Sequence, residues 1–390
     1  MLYYDFFIDH YGWQGAALAA VIIALFFIQM YYYAIVYARI PNYKNDRRPR
    51  RIDTDTPAIS VIVPLFGESG EFIETSLPRL LAQDYAAYEI VVVYVGLDTD
   101  FYDDLVRMKS VFPNLRTTKI EARSRYPISP KMAINIGIKS AQYEHIVLTT
   151  TDASPCTSRW IALMAKGFTR GEIVLGYCGL EAGKGLASKY MRIDRLMSSV
   201  EWISSAVRHR PYRGDRNNIG FTKSLYFSVN GFSNLNMNVG EDDLFMQQIM
   251  TRENVSVVLS PRAMVVERCW GGLHWWFARK RFFGSARHLY PQAYRNFARR
   301  ERGSRVLFFA AAIAAIAVMP LEYKAAVLAI ALIRYIMVIV TVSRIGQRLG
   351  ESGTLAAYPL YDLFSPFGAV ITDMMLLRKD TSVWRYTTIS

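Results

Sequence analysis

Cysteine and histidine are both scarce in this 390-residue chain. The three cysteines, Cys156, Cys178 and Cys269, are odd in number, far apart and contain no CxxC pair. That pattern excludes a disulfide framework and a thiolate zinc module, and it suits a reducing compartment. The five histidines, His10, His145, His209, His274 and His288, show no ligand spacing of the HExxH kind. A Walker A loop is missing, as is a GxGxxG between a strand and a helix, so P-loop hydrolysis and dinucleotide chemistry are poor readings. No internal repeat or low-complexity tract occurs. The one clear linker is the basic stretch 39–56. Acidic residues are also in deficit, 33 against 46 basic, which leaves a net charge of +13. The basic residues border apolar runs instead of forming one aromatic-interleaved face. They therefore point to an anionic membrane surface or a phosphorylated ligand rather than to nucleic acid.

Hydrophobic residues make up 52% of the chain, too many for an ordinary soluble enzyme. Residues 11–38 carry no charge, and about 20 residues at ~1.5 Å each cross a hydrocarbon core. Tyr31, Tyr32, Tyr33 and Tyr37 suit an interfacial aromatic belt. Arg39, Lys44, Arg47, Arg48, Arg50 and Arg51 follow this run, while Asp5 and Asp9 precede it. The positive-inside rule then puts the N-terminus outside and the long central region in the cytoplasm. A signal peptide fits poorly, for want of a basic n-region and an A-x-A site.

A second apolar region follows the basic cluster 295–305. Residues 306–321 are uncharged, and 325–343 are apolar apart from Arg334. The turn at Pro320 predicts a hairpin of two short membrane helices. Arg334 must then face a protein groove, snorkel, or lie at a shallower depth. Residues 355–377 are apolar but carry Asp362 and Asp373, and they read as interfacial or re-entrant. The expected organisation is an extracytoplasmic 1–14, a transmembrane helix 15–38, the linker 39–56, a catalytic domain 57–270, amphipathic interfacial helices 271–304, a transmembrane hairpin 305–343 and an apolar segment with tail 344–390.

The central region alternates strand and helix signals. Runs 59–65, 89–95, 116–121 and 145–150 read as strands, the first two continuous and β-branched as expected of strands covered on both faces. Helical spacing falls over 72–81, 101–110 and 131–141. The alternation predicts an α/β fold whose mostly parallel sheet binds ligands at the strands' carboxyl ends.

The blocks SVIVPLFGESGEFIETSLPRLLAQDYAAYEIVVV, PKMAINIGIKSA, IVLTTTDASP, NNIGFTKSLYFSVNGF, GEDDLF and HWWFARKRFF occur in that order over about 59–289. In order and spacing they resemble the membrane-anchored family 2 glycosyltransferases of bacterial type, which have a Rossmann-like GT-A nucleotide-sugar fold. The resemblance implies an inverting transfer of a single sugar from a UDP- or GDP-linked donor to a glycan or lipid-linked acceptor. It implies Mg²⁺ or Mn²⁺ as cofactor and a place in polysaccharide or cell-envelope synthesis. Membrane lipids are further expected partners and nucleic acid is not. The expected location is the inner (cytoplasmic) membrane, with the catalytic domain in the cytoplasm.

Residue by residue, Asp152 matches the DxD loop, where a carboxylate holds the cation that bridges the diphosphate. Only one aspartate is present, since Thr150 and Ser154 occupy the neighbouring matching positions. A helix cap over 155–166 is the other reading of Asp152. Pro64, Phe66 and Glu68 resemble the base- and ribose-contacting loop. Asp98 stands near the place of the family's strand-end aspartate, which is replaced by Tyr94-Val95-Gly96. Lys131 and Asn135 match K-x-x-A-x-N, a lysine at a helix N-terminus suited to phosphate. In 241–243 an acidic residue supplies the general base, with Asp242 the first choice and Glu241 and Asp243 beside it. Arg279 or Arg281 meets the diphosphate. Arg213, Asn217, Asn218, Trp275 and Trp276 line the sugar or acceptor pocket. The processive enzymes' QxxRW is not matched, because Ala278 and Phe282 stand where its Gln and Trp fall. The competing readings are a processive polysaccharide synthase and a non-catalytic membrane scaffold of degenerate transferase fold.

Overall fold

The computed structural model describes residues 2–45, 50–51, 56–121, 129–232 and 241–377, and within these the side chains other than those of 2–11, 241–242, 282–283, 285–286 and 369–377. The chain opens with α1 (Leu2–Met30), which leaves helical geometry at Gly12 (φ 64°) and continues as a π-helical turn, Tyr31–Val36, and a 3-10 turn, Tyr37–Arg39. The alternating part follows: β1 (Ile59–Phe66), α2 (Leu77–Leu81), β2 (Tyr88–Val95), α3 (Thr99–Arg107), β3 (Leu115–Ile120), α4 (Pro130–Ser140) and β4 (His145–Leu148). Then come β5 (Ala153–Pro155), α5 (Trp160–Phe168), β6 (Ile173–Gly176), β7 (Cys178–Leu180), α6 (Gly185–Val207), β8 (Ile219–Thr222), α7 (Lys223–Ser228), α8 (Glu241–Ile249), β9 (Val255–Val258) and β10 (Val265–Glu267). Four helices close the described chain: α9 (Leu273–Gly284), α10 (Gln292–Val318), α11 (Leu321–Leu349) and α12 (Tyr358–Leu377).

The main sheet has the order β3-β2-β1-β4-β8-β6-β9. β8 runs antiparallel to both its neighbours, and the other pairs are parallel. A small second sheet, β5-β10-β7, stands beside it. The period-2 alternation of strands explains why a continuous apolar run is needed. Ile62, Val91 and Val93 join one core with Ile134 and Ile138 of α4. Their neighbours Val61, Val63, Ile90 and Val92 join the opposite core with Trp160 and Ile161 of α5. The four expected strands are present to within two residues at each end. The expected helix over 155–166 is not: 153–155 pairs as a strand and the helix starts at Trp160, too far on for Asp152 to cap it.

Gly12–Arg39 and Leu321–Leu349 are long and apolar enough to cross a membrane. Ile22 and Leu25 of α1 pack with Phe308, Ala311, Ala312 and Ala315 of α10 and Val327 of α11. The expected short hairpin helices are in fact long, 27 residues in α10 and 29 in α11. The charges of 295–305 change the helix's surroundings without breaking its backbone, whereas Pro320, at the N-cap of α11, separates the two helices. Arg334 faces inward, 1% exposed, while its neighbours Ile333, Ile336 and Met337 are exposed. It donates to both carboxylate oxygens of Asp362 (2.6 and 3.1 Å) and to Gln29 Oε1 (3.0 Å). Of the three readings open for it, the protein groove is the one realised.

Candidate active site

The carboxyl ends of β1, β2 and β4 form one edge of the main sheet, and the loops leaving it carry most of the expected donor residues. Gly67 turns the chain after β1 with φ +70°, a conformation that favours glycine, and its N–H bonds to Val95 O at the end of β2 (2.9 Å). That contact holds the two loops together, so Glu68 and Asp98 meet. Asp98 caps α3 by accepting from Phe101 N (2.8 Å). This backbone N–H, followed by a hydrogen bond from Glu68, holds the Asp98 carboxyl below its usual range. Glu68 is pushed up in turn, first by that bond and then by the Asp98 charge. Pro64 and Phe66 are half-buried at the end of β1. Lys131 lies in the first turn of α4, after the capping Ser129, and Asn135 Oδ1 accepts from Tyr226 OH (3.4 Å).

Asp152 leaves β4 in a turn, fastened by Arg268 N–H to its carbonyl (2.8 Å). Burial raises its carboxyl above the usual range, while the Arg279 charge and a hydrogen bond from Trp270 oppose the rise. Arg279, on α9, stacks over the Trp275 ring (5.5 Å) and pairs with Glu267. Burial, then the nearby Arg195 charge, lowers the Arg279 guanidinium to about 10, with Asp152 and Asp215 acting the other way. Arg195 bridges Asp215 (2.5 Å) and Glu267 (3.6 Å) and donates to Cys178 O (3.1 Å). Asp152 and Arg279, both half-buried, are therefore brought within each other's field, in a charged network that the small sheet supports.

The other expected residues divide. Asn217 Oδ1 accepts from Thr150 Oγ1 (3.1 Å), beside Asp152. Asn218 is fully buried: its amide accepts from Trp160 Nε1 (2.9 Å) and donates to Tyr177 O and Ala263 O (both 2.9 Å). It fastens the two sheets together and does not line an open pocket. A Cβ on Gly176 would come within 2.5 Å of the Asn218 side chain, so glycine there makes the space. Trp276 is buried against α6, donating to Asp194 Oδ2 (2.6 Å). Trp275 is half-buried under Arg279, and Arg281 is exposed. Arg213 pairs with Asp243 Oδ1 (3.2 Å), and Tyr290 donates to Asp243 Oδ2. Asp243 thus anchors the start of α8, where Glu241 and Asp242 also stand; those two side chains lie outside the described residues.

Sequence reasoning missed Glu267, Arg195, Asp215 and Trp270. Glu267 ends a short apolar strand and had a weak signal in the sequence; the others had none. Among the described residues no group of three or more metal-ligating side chains occurs. The site therefore fits a cation only if most of its ligands come from a bound diphosphate and water, a usual arrangement for Mg²⁺.

No curated protein matches the chain. Among solved structures, the mannosyltransferase PcManGT from Pyrobaculum calidifontis, in complex with GDP-Man and Mn²⁺, superposes with a TM-score of 0.55 at 20% identity, over 89% of this chain and 99% of that one. Two structures of S. aureus TarS, one with UDP-GlcNAc, give TM-scores of 0.41 and 0.40 at 15% identity, each over 84% of this chain and 93% of that one. The first likeness shows a glycosyltransferase fold. The family profile that matches is that of Glycosyl transferase family 21, over residues 21–389, and it replaces the family 2 resemblance. With the match running through nearly the whole sequence, the chain belongs to glycosyl transferase family 21.

Proposed function

We propose that this glycosyltransferase moves one sugar, with inversion, from a nucleoside-diphosphate sugar to a lipid-linked or glycan acceptor at the cytoplasmic face of the membrane. The observation that carries the reading is that Ala153, next to Asp152, pairs in the small sheet with Glu267, whose carboxylate pairs with Arg279, so that Asp152 and Arg279 come from distant parts of the chain to one end of the sheet. The donor's diphosphate would lie between them. Asp152 would hold a divalent cation, which supplies charge neutralisation to the departing diphosphate when bound. Arg279 offers a cation aligned by Trp275 and Glu267, so little reorganisation is needed as negative charge builds on the leaving oxygen. Lys131 and the N-terminus of α4 would take phosphate, and Glu68 with Asp98 the nucleoside. Asp242 is the proposed base. The acceptor oxygen bonds to the anomeric carbon, the carbon–oxygen bond to the diphosphate breaks, and the acceptor proton passes to the carboxylate.

The mannosyltransferase neighbour, solved with GDP-Man and Mn²⁺, makes a GDP-linked donor the first to try. Full-length protein should turn over a nucleotide sugar only with Mg²⁺ or Mn²⁺, and Asp242→Asn should abolish turnover while leaving donor affinity intact. Nucleoside-diphosphate binding without turnover of any sugar donor would favour the scaffold reading, and a polymeric product the processive one.

A further inference from the structure

A cavity of about 730 Å³ lies away from the site just described, where the first apolar helix meets the α/β fold. One wall is apolar: Ala34, Ile35 and Ala38, the last turns of the helix that starts at Gly12, with Val207 opposite. The other is basic. Arg39, Lys44, Arg51, Arg170 and Arg252 line it together with His209, and among the described residues Glu253 is the one lining carboxylate. Glu172, bound to Arg51 at 2.9 Å, adds a second acid at the rim. Topology places this groove at the far edge of the sheet. Arg170 precedes β6, and Arg252 and Glu253 precede β9; these strands run in the same direction as β1 and β4. The groove therefore sits at the strands' amino ends, opposite Asp152.

We infer that this groove binds an anionic phospholipid of the inner leaflet, with its phosphate among the basic side chains and an acyl chain along Ile35 and Ala38. The depth is right. About 20 helical residues cross the hydrocarbon, and counting from Gly12 that length ends near Tyr31, so 34–44 stand at headgroup level. The chemistry also matches: an apolar wall continuous with a membrane helix, meeting a cationic one, suits an amphiphile with a negative head. Free inorganic phosphate would use only the second wall. This inference rests on the membrane-anchored part of the proposed function and not on the sugar transfer.

The test uses full-length protein in phosphatidylcholine nanodiscs, with phosphatidylglycerol added in steps and bound lipid counted by native mass spectrometry. Phosphatidylglycerol should be retained selectively over phosphatidylcholine. With each cation near a membrane surface worth roughly a fivefold factor in binding, Arg170→Gln with Arg252→Gln should lower the retention constant about 25-fold. Glu253→Gln should raise it about fivefold, a gain that misfolding does not mimic. Arg299→Gln with Arg300→Gln, outside the groove, should leave it unchanged. Equal loss in both arginine pairs would overturn the site in favour of bulk surface charge. Inorganic phosphate displacing the lipid at comparable concentration would overturn the lipid assignment. Failure to enter phosphatidylcholine discs at all would instead refute the membrane reading.

Discussion

Glu267 sits between two guanidinium groups, 2% exposed, and its neutralisation would remove the carboxylate that Arg279 pairs with, while Arg195 keeps Asp215. Breaking a buried ion pair from one side costs about 3 kcal/mol or more. Glu267→Gln should therefore destabilise the protein by that order, read as a lower denaturation midpoint in detergent. Asp152 behaves oppositely. Burial raises its carboxyl, so the folded state favours the protonated form. That contribution is fully present below the unfolded-state value and is lost as pH rises through the folded one. At neutral pH, Asp152→Asn should thus melt higher than the parent, with the gap closing in acid, while turnover falls by roughly 10²-fold or more. Higher stability with intact activity would remove Asp152 from the reaction. At this scale the sequence locates a residue that lies a few places past a strand end, as Asp152 and Glu68 do. Asn218 and Trp276 misled because an amide or an indole reads alike whether it fills a core or lines a pocket. Arg195, in mid-helix, gave no sign that it would meet Asp215 and Glu267.

The long apolar helices join through charge. Arg334 of α11 binds Asp362 of α12 and Gln29 of α1, and Arg305 of α10 binds Glu301 (3.1 Å), Asp362 (3.5 Å) and Ser365 (3.1 Å). Four helices are thus tied at one level, and Asp362 explains why 358–377 is apolar yet carries an acid. Arg334→Ala should lower stability by about 3 kcal/mol, because Asp362 then loses its two short contacts and keeps the longer one to Arg305 (3.5 Å). The double variant Arg334→Met with Asp362→Leu should regain part of that, since an apolar pair of similar volume replaces the ion pair at little cost while Arg305 loses Asp362 and keeps Glu301. Thermal denaturation of the three proteins, combined as a double-mutant cycle, gives the coupling. Additive effects would mean the two side chains are not partners. From sequence, the apolar runs and the Pro320 turn were visible as local patterns. The pairing was not, because a periodicity does not say which helix supplies a counter-ion.

At the scale of the molecule, the α/β fold and the long apolar helices share one core. Tyr32, Tyr33, Val36 and Tyr37 at the foot of α1, and Val338, Val342, Ile345 and Leu349 of α11, belong to the same buried cluster as Ile62 and Val93 of the central sheet. Glu351, 5% exposed, accepts from Tyr177 OH (3.0 Å) and pairs with Arg192 (2.7 Å). The boundary at 270, which looks natural in sequence because charge and apolar runs change there, therefore cuts through packing. Removing the eight named apolar side chains would give up roughly 1.5–3 kcal/mol of burial for each large one, about 12–24 kcal/mol together, as much as or more than the 5–15 kcal/mol by which a domain is ordinarily stable. A fragment of 57–270 should accordingly be aggregated or rapidly proteolysed, whereas the full chain purified in detergent should melt in one cooperative transition. A soluble, monodisperse 57–270 fragment with a sharp melt would show that the sheet domain stands alone. The helices would then be mere anchors and not part of the fold that holds Asp152 and Arg279 together.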